Sequence, residues 1–356
     1  MSGSIKSLAM ASEAAWCGLS GVTEITNVAM AGCDNPPQLM AERIETRQKR
    51  LVAICDPLPG ATAYVNRRPV NIPAAHEGFL LLEMLTARFP QIPLAEWEAR
   101  CDAGRFMSEA GELRGKNHRV RGGERVLQIF PSAAEPPVAT DIRLLFEDEA
   151  IIVVRKPAPL PMHPSGRFNR NTLQHILSLA YAPEVLRPVH RLDANTSGLA
   201  VMARTRDCCR RLQLQFLAGE VEKHYLVKIV GQPAADHFVA TAAISAAPGA
   251  LGTHAVDAED GRSARTEFKV LERLADGTSL LEARLLTGRT NQIRVHLWHL
   301  GMPVLGDPSY LAGGMLGDTQ TLDTAAQPLH LHAWRLAFKH PLSGSPMAFE
   351  TPCPWA

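Results

Sequence analysis

Two kinds of apolar spacing divide the chain. From residue 141 to the C-terminus short runs recur that alternate or are apolar throughout: "IRLLFE", "AIIVVRK", "LAVMART", "KHYLVKIVG", "TEFKVLERL", "SLLEARLLT" and "WRLAFKH". Their length, period of two and β-branched content predict strands. Two longer pieces interrupt them with a helical period, "TRDCCRRLQLQFLAG" and "RTNQIRVHLWHLG". In the first, Thr205 can cap the N-terminus, Cys209, Leu212 and Phe216 share a face, and Gly219 can stop the helix. Strands dominate and do not alternate strictly with helices. This predicts an α+β fold with a mixed, mostly antiparallel central sheet flanked by helices and loops, rather than a doubly wound sheet.

Upstream the pattern changes. "FLLLEMLTARFP" and "LAEWEARCDAGRF" read as short helices, and "HRVRGGERVLQIF" as a turn running into a strand, which makes 79–131 a small αβ module. "PSAAEPPVAT" is Pro-rich and offers nothing to a core, so 132–140 reads as a linker, with a large domain at 141–356 that can separate from what precedes it. Residues 1–78 read as a partly ordered N-terminal extension with one helix, "QLMAERIETRQKRLVAI".

Composition narrows the class. Hydrophobic residues are 46% and charged residues 21% of 356, the balance of a globular protein with a sizeable core. No apolar run is long enough to span a membrane. The first residues have a weak positive end and an apolar stretch broken by Glu13, so no signal peptide is expected. Seven cysteines, an odd number with no C-x-x-C pair, argue against structural zinc and a disulfide framework, and fit reduced thiols in a cytoplasmic protein. A net charge of +1 decides nothing about nucleic acid, but local counts do more. Between Arg100 and Arg125 seven basic residues face four acidic ones. Between Arg187 and Lys228 there are eight against four.

The chain contains no phosphate-binding loop of the G-x-x-x-x-G-K-[ST] type, no strand-bounded G-x-G-x-x-G and no G-x-S-x-G elbow, so no nucleotide cofactor is expected and Ser197 is no nucleophile. The pairs His296/His299 and His330/His332 lack the third ligand of a zinc site and read as structural histidines. What remains is a collinear set of polar stretches: "RKPAPLPMHP" at 155–164, "VHRLDANTSGL" at 189–199, "VEKHYLVKI" with Tyr225, and "TGRTNQIRVH" with Arg294. By itself Asp193 could be a turn aspartate hydrogen-bonding to its own backbone.

Taken together these stretches resemble the RluA-type pseudouridine synthases, whose catalytic loop reads H-R-L-D-x-x-T-S-G. The similarity runs from Leu144 to Pro354 and includes "LHAWRLAFKHPLSG". It implies the pseudouridine synthase catalytic fold, preceded by a small RNA-binding-like module. The implied reaction detaches uracil from its ribose in RNA and rejoins it through a ring carbon, without cofactor or metal. By position in the family pattern Asp193 is the catalytic aspartate, Arg294 its cationic partner, and Tyr225 the tyrosine that packs on the target base and is a candidate general base. Arg191 resembles the residue that enters the helix as the nucleotide flips out. His190, Thr196, Arg289 and Ile293 are the further candidate substrate contacts. A nucleophilic carboxylate beside an Arg fork is also what such chemistry requires. The expected partner is ribosomal RNA or tRNA, bound by a monomeric, cytoplasmic protein with no membrane contact. Asn291, Pro159 and Arg204 stand where the family often has His, Gly and Lys. Two other readings are a non-catalytic RNA-binding protein of this fold and a glycosidase, which needs a second carboxylate.

Overall fold

The computed structural model describes residues 37–249 and 252–355. The N-terminal extension up to residue 36, with Cys17 and Cys33, lies outside the described residues. The elements in chain order are α1 (Pro37–Ile54), β1 (Tyr64–Asn71), α2 (Leu81–Arg88), α3 (Leu94–Asp102), β2 (Phe106–Ser108), β3 (Arg125–Ala133), β4 (Arg143–Glu147) and β5 (Ile151–Lys156). Next come α4 (Leu173–Ala180), β6 (Arg187–Pro188), β7 (Ser197–Ala203), α5 (Arg206–Ala218), β8 (Glu222–Val230), β9 (His237–Ala240), β10 (Thr266–Arg273), β11 (Thr278–Leu285), α6 (Gln292–His299), β12 (Leu331–Lys339) and β13 (Pro346–Glu350).

The chain divides into two compact units, one of residues Gly60–Pro136 and one formed by what precedes and follows them. The smaller unit carries an antiparallel sheet of order β1-β3-β2. Its core is Leu81, Met84, Leu85, Trp97, Phe106 and Val126. Four of the seven basic residues between Arg100 and Arg125 are spent on local ion pairs: Arg100 with Glu96, Arg114 with Glu112, Lys116 with Asp102 and Arg125 with Glu109.

The domain boundaries read from sequence shift accordingly. β1 lies in what reads as an extension, because Tyr64 through Asn71 pair along β3 as far as Ala133. That pairing also carries β3 into the first residues of the expected linker. The helix expected near the N-terminus is present as α1, but it belongs to the larger unit. Leu51 is 1% exposed within that unit's core, Gln48 donates to the Ile142 carbonyl at 2.7 Å and accepts from the Leu144 N–H at 3.0 Å. Arg47 donates to the Ala180 carbonyl and lies over the Tyr181 ring. Sequence could not place this helix, since its apolar stripe says only that it packs, not on what.

The larger unit is built on ten strands in the order β4-β5-β7-β12-β8-β11-β10-β9, with β13 beside β12 and β6 beside β7. Only β7 and β12 run parallel; the other pairs are antiparallel, as the sequence predicts. The parallel pairing places Ser197 and Gly198 against His332 and Ala333. Gly198 has φ +114, and a Cβ there would collide with the Ala333 backbone, so only glycine allows this approach. α5 begins and ends as expected: the Thr205 hydroxyl accepts from the Cys208 N–H, and Gly219 closes the helix in the left-handed region.

Candidate active site

Asp193 lies in the loop between β6 and β7, where its carbonyl accepts the Thr196 N–H at 3.1 Å and makes the turn tight. Its carboxylate opens on a cavity of about 540 Å³ that Arg191, Asn291, Arg294 and Thr319 also line. Arg294 comes from α6, one hundred residues on. The side chain of Gln292 fixes that helix start: its Oε1 accepts from the Thr287 hydroxyl at 2.7 Å and the Arg289 N–H at 2.9 Å, and its amide donates to Thr266 and the Arg265 carbonyl.

Arg294 is 5% exposed and divides its donors between two carboxylates. Nε and Nη2 each donate to Asp307 at 2.7 Å, while Nη1 reaches Asn291 Oδ1 at 3.1 Å and Asp193 Oδ2 at 3.4 Å. Burial would lower its pKa, but the Asp307 hydrogen bonds and charge, then Asp193, raise it above the ordinary arginine value, so the group is a fixed cation. Asp307 is itself held by the Ser309 and Tyr310 N–H groups at 2.9 and 3.0 Å. The Tyr310 ring lies under the guanidinium, 4.9 Å from its centre, and its hydroxyl accepts from Asn291. Asp193 is less enclosed, with its side chain 23% exposed, so one face of the carboxylate is open to a substrate.

Beneath the loop Lys156, fully buried at the end of β5, donates to the carbonyls of Pro157, Leu160 and Ala194 at 3.0, 2.8 and 3.1 Å. Burial lowers its pKa to about 7, against the pull of the Asp193 charge. It ties the Pro-rich stretch to the residue after Asp193.

The expected site residues separate into two groups. Asp193, Arg294 and Arg191 meet at the cavity. Tyr225 on β8 does not line it but lies beside a small void with His190 and Lys223; burial and then the Asp193 charge push its phenol well above the usual range. His190 is turned into the protein: its ring stacks on Phe216 and its Nε2 accepts the Val201 N–H at 3.2 Å. Burial lowers it to about 4. Thr196 is buried in the turn, and Ile293 packs in the core with Val227 and Leu297. Arg289 donates to the Ser263 carbonyl and does not line the cavity. His190, Thr196, Arg289 and Ile293 therefore shape the site's support and are not surfaces of the cavity. Expectation placed them at the substrate because it followed sequence adjacency, and neighbouring side chains on a helix or strand point to different sides.

Of the histidine pairs, His296 meets the Thr266 hydroxyl and the Ala242 carbonyl, His330 the Leu305 carbonyl, and His332 Nδ1 the Ser197 hydroxyl. Among the described residues no group of three or more His, Cys, Asp or Glu is placed to hold a metal ion, and no helix is long and apolar enough to cross a membrane. Asp307 and Lys156 are the partners sequence reading missed. Lys156 had a signal, a lysine at the end of an otherwise apolar strand, whereas Asp307 in "GDPSY" looks like any turn aspartate.

The model of the RNA pseudouridylate synthase family matches residues 150–299. The ribosomal large subunit pseudouridine synthase D of Xanthomonas campestris is 36% identical over 305 residues, 81% of this chain and 89% of that protein. The chain belongs to the RNA pseudouridine synthase family. The human pseudouridylate synthase RPUSD2 is 36% identical over 65% of this chain, which spans 42% of that longer protein. Of solved structures, human RNA pseudouridylate synthase domain containing 1 superimposes with a TM-score of 0.50 at 25% identity, covering 62% of this chain and 87% of that one. The α+β fold with a mixed sheet is thus that of a pseudouridine synthase, an enzyme that acts on RNA.

Proposed function

We propose that this pseudouridine synthase isomerises uridines in structured RNA, ribosomal RNA or tRNA, with Asp193 as the catalytic carboxylate. The observation that carries the reading is the Asp193–Arg294 contact: a carboxylate with one open face, held against a cation that is itself locked by Asp307. The bond from ribose to the uracil nitrogen breaks, the base turns, and a bond forms from the same ribose carbon to a ring carbon. The proton on that ring carbon leaves and the freed nitrogen takes one up, so substrate and product are isomers. Asp193 attacks the ribose carbon or assists departure of the base, as carboxylates do at glycosidic bonds. Arg294 faces its charge and orients it. The raised Tyr225 phenol is a poor proton acceptor near neutral pH, which favours a neutral ring packed near the base over a general base.

RNA enters with its target nucleotide flipped, because the bond to be broken is inaccessible in a stacked strand. Arg191 and Arg167 at the cavity carry no ion pair among the described residues, which leaves them for phosphates and for the space the nucleotide vacates. The relatives named for the large ribosomal subunit favour ribosomal RNA. The test is Asp193→Asn with pseudouridine mapped in ribosomal RNA and tRNA. Turnover should fall at least a thousandfold, roughly 4 kcal/mol of transition-state stabilisation, with RNA affinity kept. A variant that turns over like the wild type would remove Asp193 from the mechanism.

A further inference from the structure

The cavity at Asp193 is lined by two stretches of different chemistry. His163, Arg167 and Arg191 are basic. Residues 318–321, Asp-Thr-Gln-Thr, offer amide and hydroxyl groups with one exposed carboxylate. This second stretch belongs to the long segment between α6 and β12, and it is fastened to the catalytic machinery at two places. Asn195, two residues after Asp193 and buried, donates from Nδ2 to the Gln320 carbonyl at 3.0 Å and accepts the Leu322 N–H at 3.0 Å. Ser309, whose N–H binds Asp307, donates from its hydroxyl to the Thr319 carbonyl at 3.1 Å. The backbone of the stretch is thus fixed to the Asp193 loop on one side and to the Asp307–Arg294 pair on the other.

Thr319 donates its hydroxyl to Asp318, and the other two side chains are uncommitted. Neither the Gln320 amide nor the Thr321 hydroxyl makes a hydrogen bond among the described residues, and Gln320 is exposed. The amide lies over Gly252, where a Cβ would stand 3.0 Å from Nε2, and the Gly252 carbonyl accepts from Asn291 at 3.4 Å. A flexible amide on a mobile loop would have to be ordered by its ligand. Here the backbone is already fixed, and only one side chain must be.

We propose that residues 318–321, positioned by Asn195, form a base-reading wall, with Gln320 and Thr321 hydrogen-bonding the edges of unstacked nucleotides next to the target uridine. The proposal rests on the reading that Asp193 acts on uridine in RNA. Phosphate contacts made by arginines fix the strand but carry no sequence information, whereas an amide offers a donor and an acceptor that match a base edge in two points. Sequence-specific recognition of RNA uses such unstacked bases. A synthase whose chemistry is the same at every uridine needs a polar surface with amide and hydroxyl groups of this kind to prefer one.

The experiment uses the full chain and a pool of stem-loop RNAs, each with a single uridine in the loop and randomised neighbours, with pseudouridine read by sequencing. Wild-type protein should favour particular neighbours. Gln320→Ala should reduce the ratio of kcat/KM between favoured and disfavoured RNAs about tenfold, the loss of one base-edge contact. Its kcat on the best RNA should stay within about threefold, since no group at Asp193 changes. Asn195→Ala should lose the same discrimination and raise KM. A merely structural role for Asn195 would depress all RNAs alike. An unchanged ratio in Gln320→Ala, or a wild type active on the pool with no neighbour preference, overturns the proposal. If instead the wild type modifies no RNA in the pool, or Asp193→Asn turns over like it, the fault lies in the underlying reading and not in the wall.

Discussion

Replacing Asp307 by Asn keeps the volume of the side chain and removes its charge. Asp307 accepts four hydrogen bonds, two from Arg294 and one each from Ser309 and Tyr310. With the oxygen that faces Nε exchanged for an NH₂ group, one of the four bonds and the whole carboxylate charge are lost, and the buried guanidinium keeps one neutral bond to residue 307, the Asn291 contact and, as its remaining carboxylate, the longer contact to Asp193. Breaking a buried pair from one side costs about 3–5 kcal/mol, because the remaining charge is left unpaired in a poorly solvated place. That is a third or more of the stability of a typical domain. Arg294→Met should also destabilise, since it leaves the Asp307 carboxylate with two backbone donors only. The double variant leaves no unpaired buried charge at this site, so it should be less destabilised than the sum of the single variants by about 2–3 kcal/mol. Guanidinium titrations of the four proteins, followed by circular dichroism and tryptophan fluorescence, give the coupling directly. In Asp307→Asn, kcat should fall at least about tenfold with KM little changed, because the Arg294 nitrogen facing Asp193 is no longer held in place. Additive stabilities within about 0.5 kcal/mol would refute the shared-cation arrangement.

Two further outcomes follow from the packing. Leu51→Ala in α1 should destabilise the larger unit by about 2–5 kcal/mol, whereas Arg50→Ala on the exposed side should change it by no more than about 0.5 kcal/mol; equal effects in thermal melts would detach α1 from that core. Burial lowers His190 and His332 to about 4 from 6.5, so between these values the unfolded chain binds protons first and stability falls as pH drops through the window. The loss is up to about 3 kcal/mol per histidine, and His332→Gln should flatten the pH curve relative to the wild type; superimposable curves would show that His332 does not titrate in this way.

How much was legible in the sequence depends on how local each signal is. Thr205 and Gly219 bracket α5 because capping is settled within a turn, and the strands of the large domain announce themselves by period. Register and partner are not local. Nothing in "QLMAERIETRQKRLVAI" says that Gln48 will satisfy the backbone of β4 at both ends, and so the helix read as part of a loose extension. The site shows the same division. Asp193 and Arg294 were recognisable from motifs at matching positions, but His190 and Ile293, adjacent to motif residues, face inward. Asp307 escaped notice because its importance comes from a partner thirteen residues away across a turn, where "GDPSY" alone gives only turn chemistry.

The distribution of paired and unpaired charge links the fold to the reaction. Arg294, the buried arginine at the cavity, is matched by Asp307 before any substrate arrives, so on the proposed reading its positive charge would not attract phosphate into the space needed for uracil. Lys156 is saturated by three carbonyls and acts on backbone position, not on the strand. The α5 arginines Arg210 and Arg211 are drawn to Asp207, and Arg204 to Glu184. Of the basic residues near Asp193, Arg191 is therefore left uncommitted at the cavity itself. A polyanion reaching this cavity meets Arg191 and Arg167, which carry no ion pair among the described residues, and the carboxylate that would otherwise repel it faces Arg294 from behind. On the proposed reading, local attraction beside a carboxylate already paired with a cation would let one cavity admit a phosphodiester chain and still present Asp193 to the sugar, which fits a chain of almost zero net charge acting on RNA.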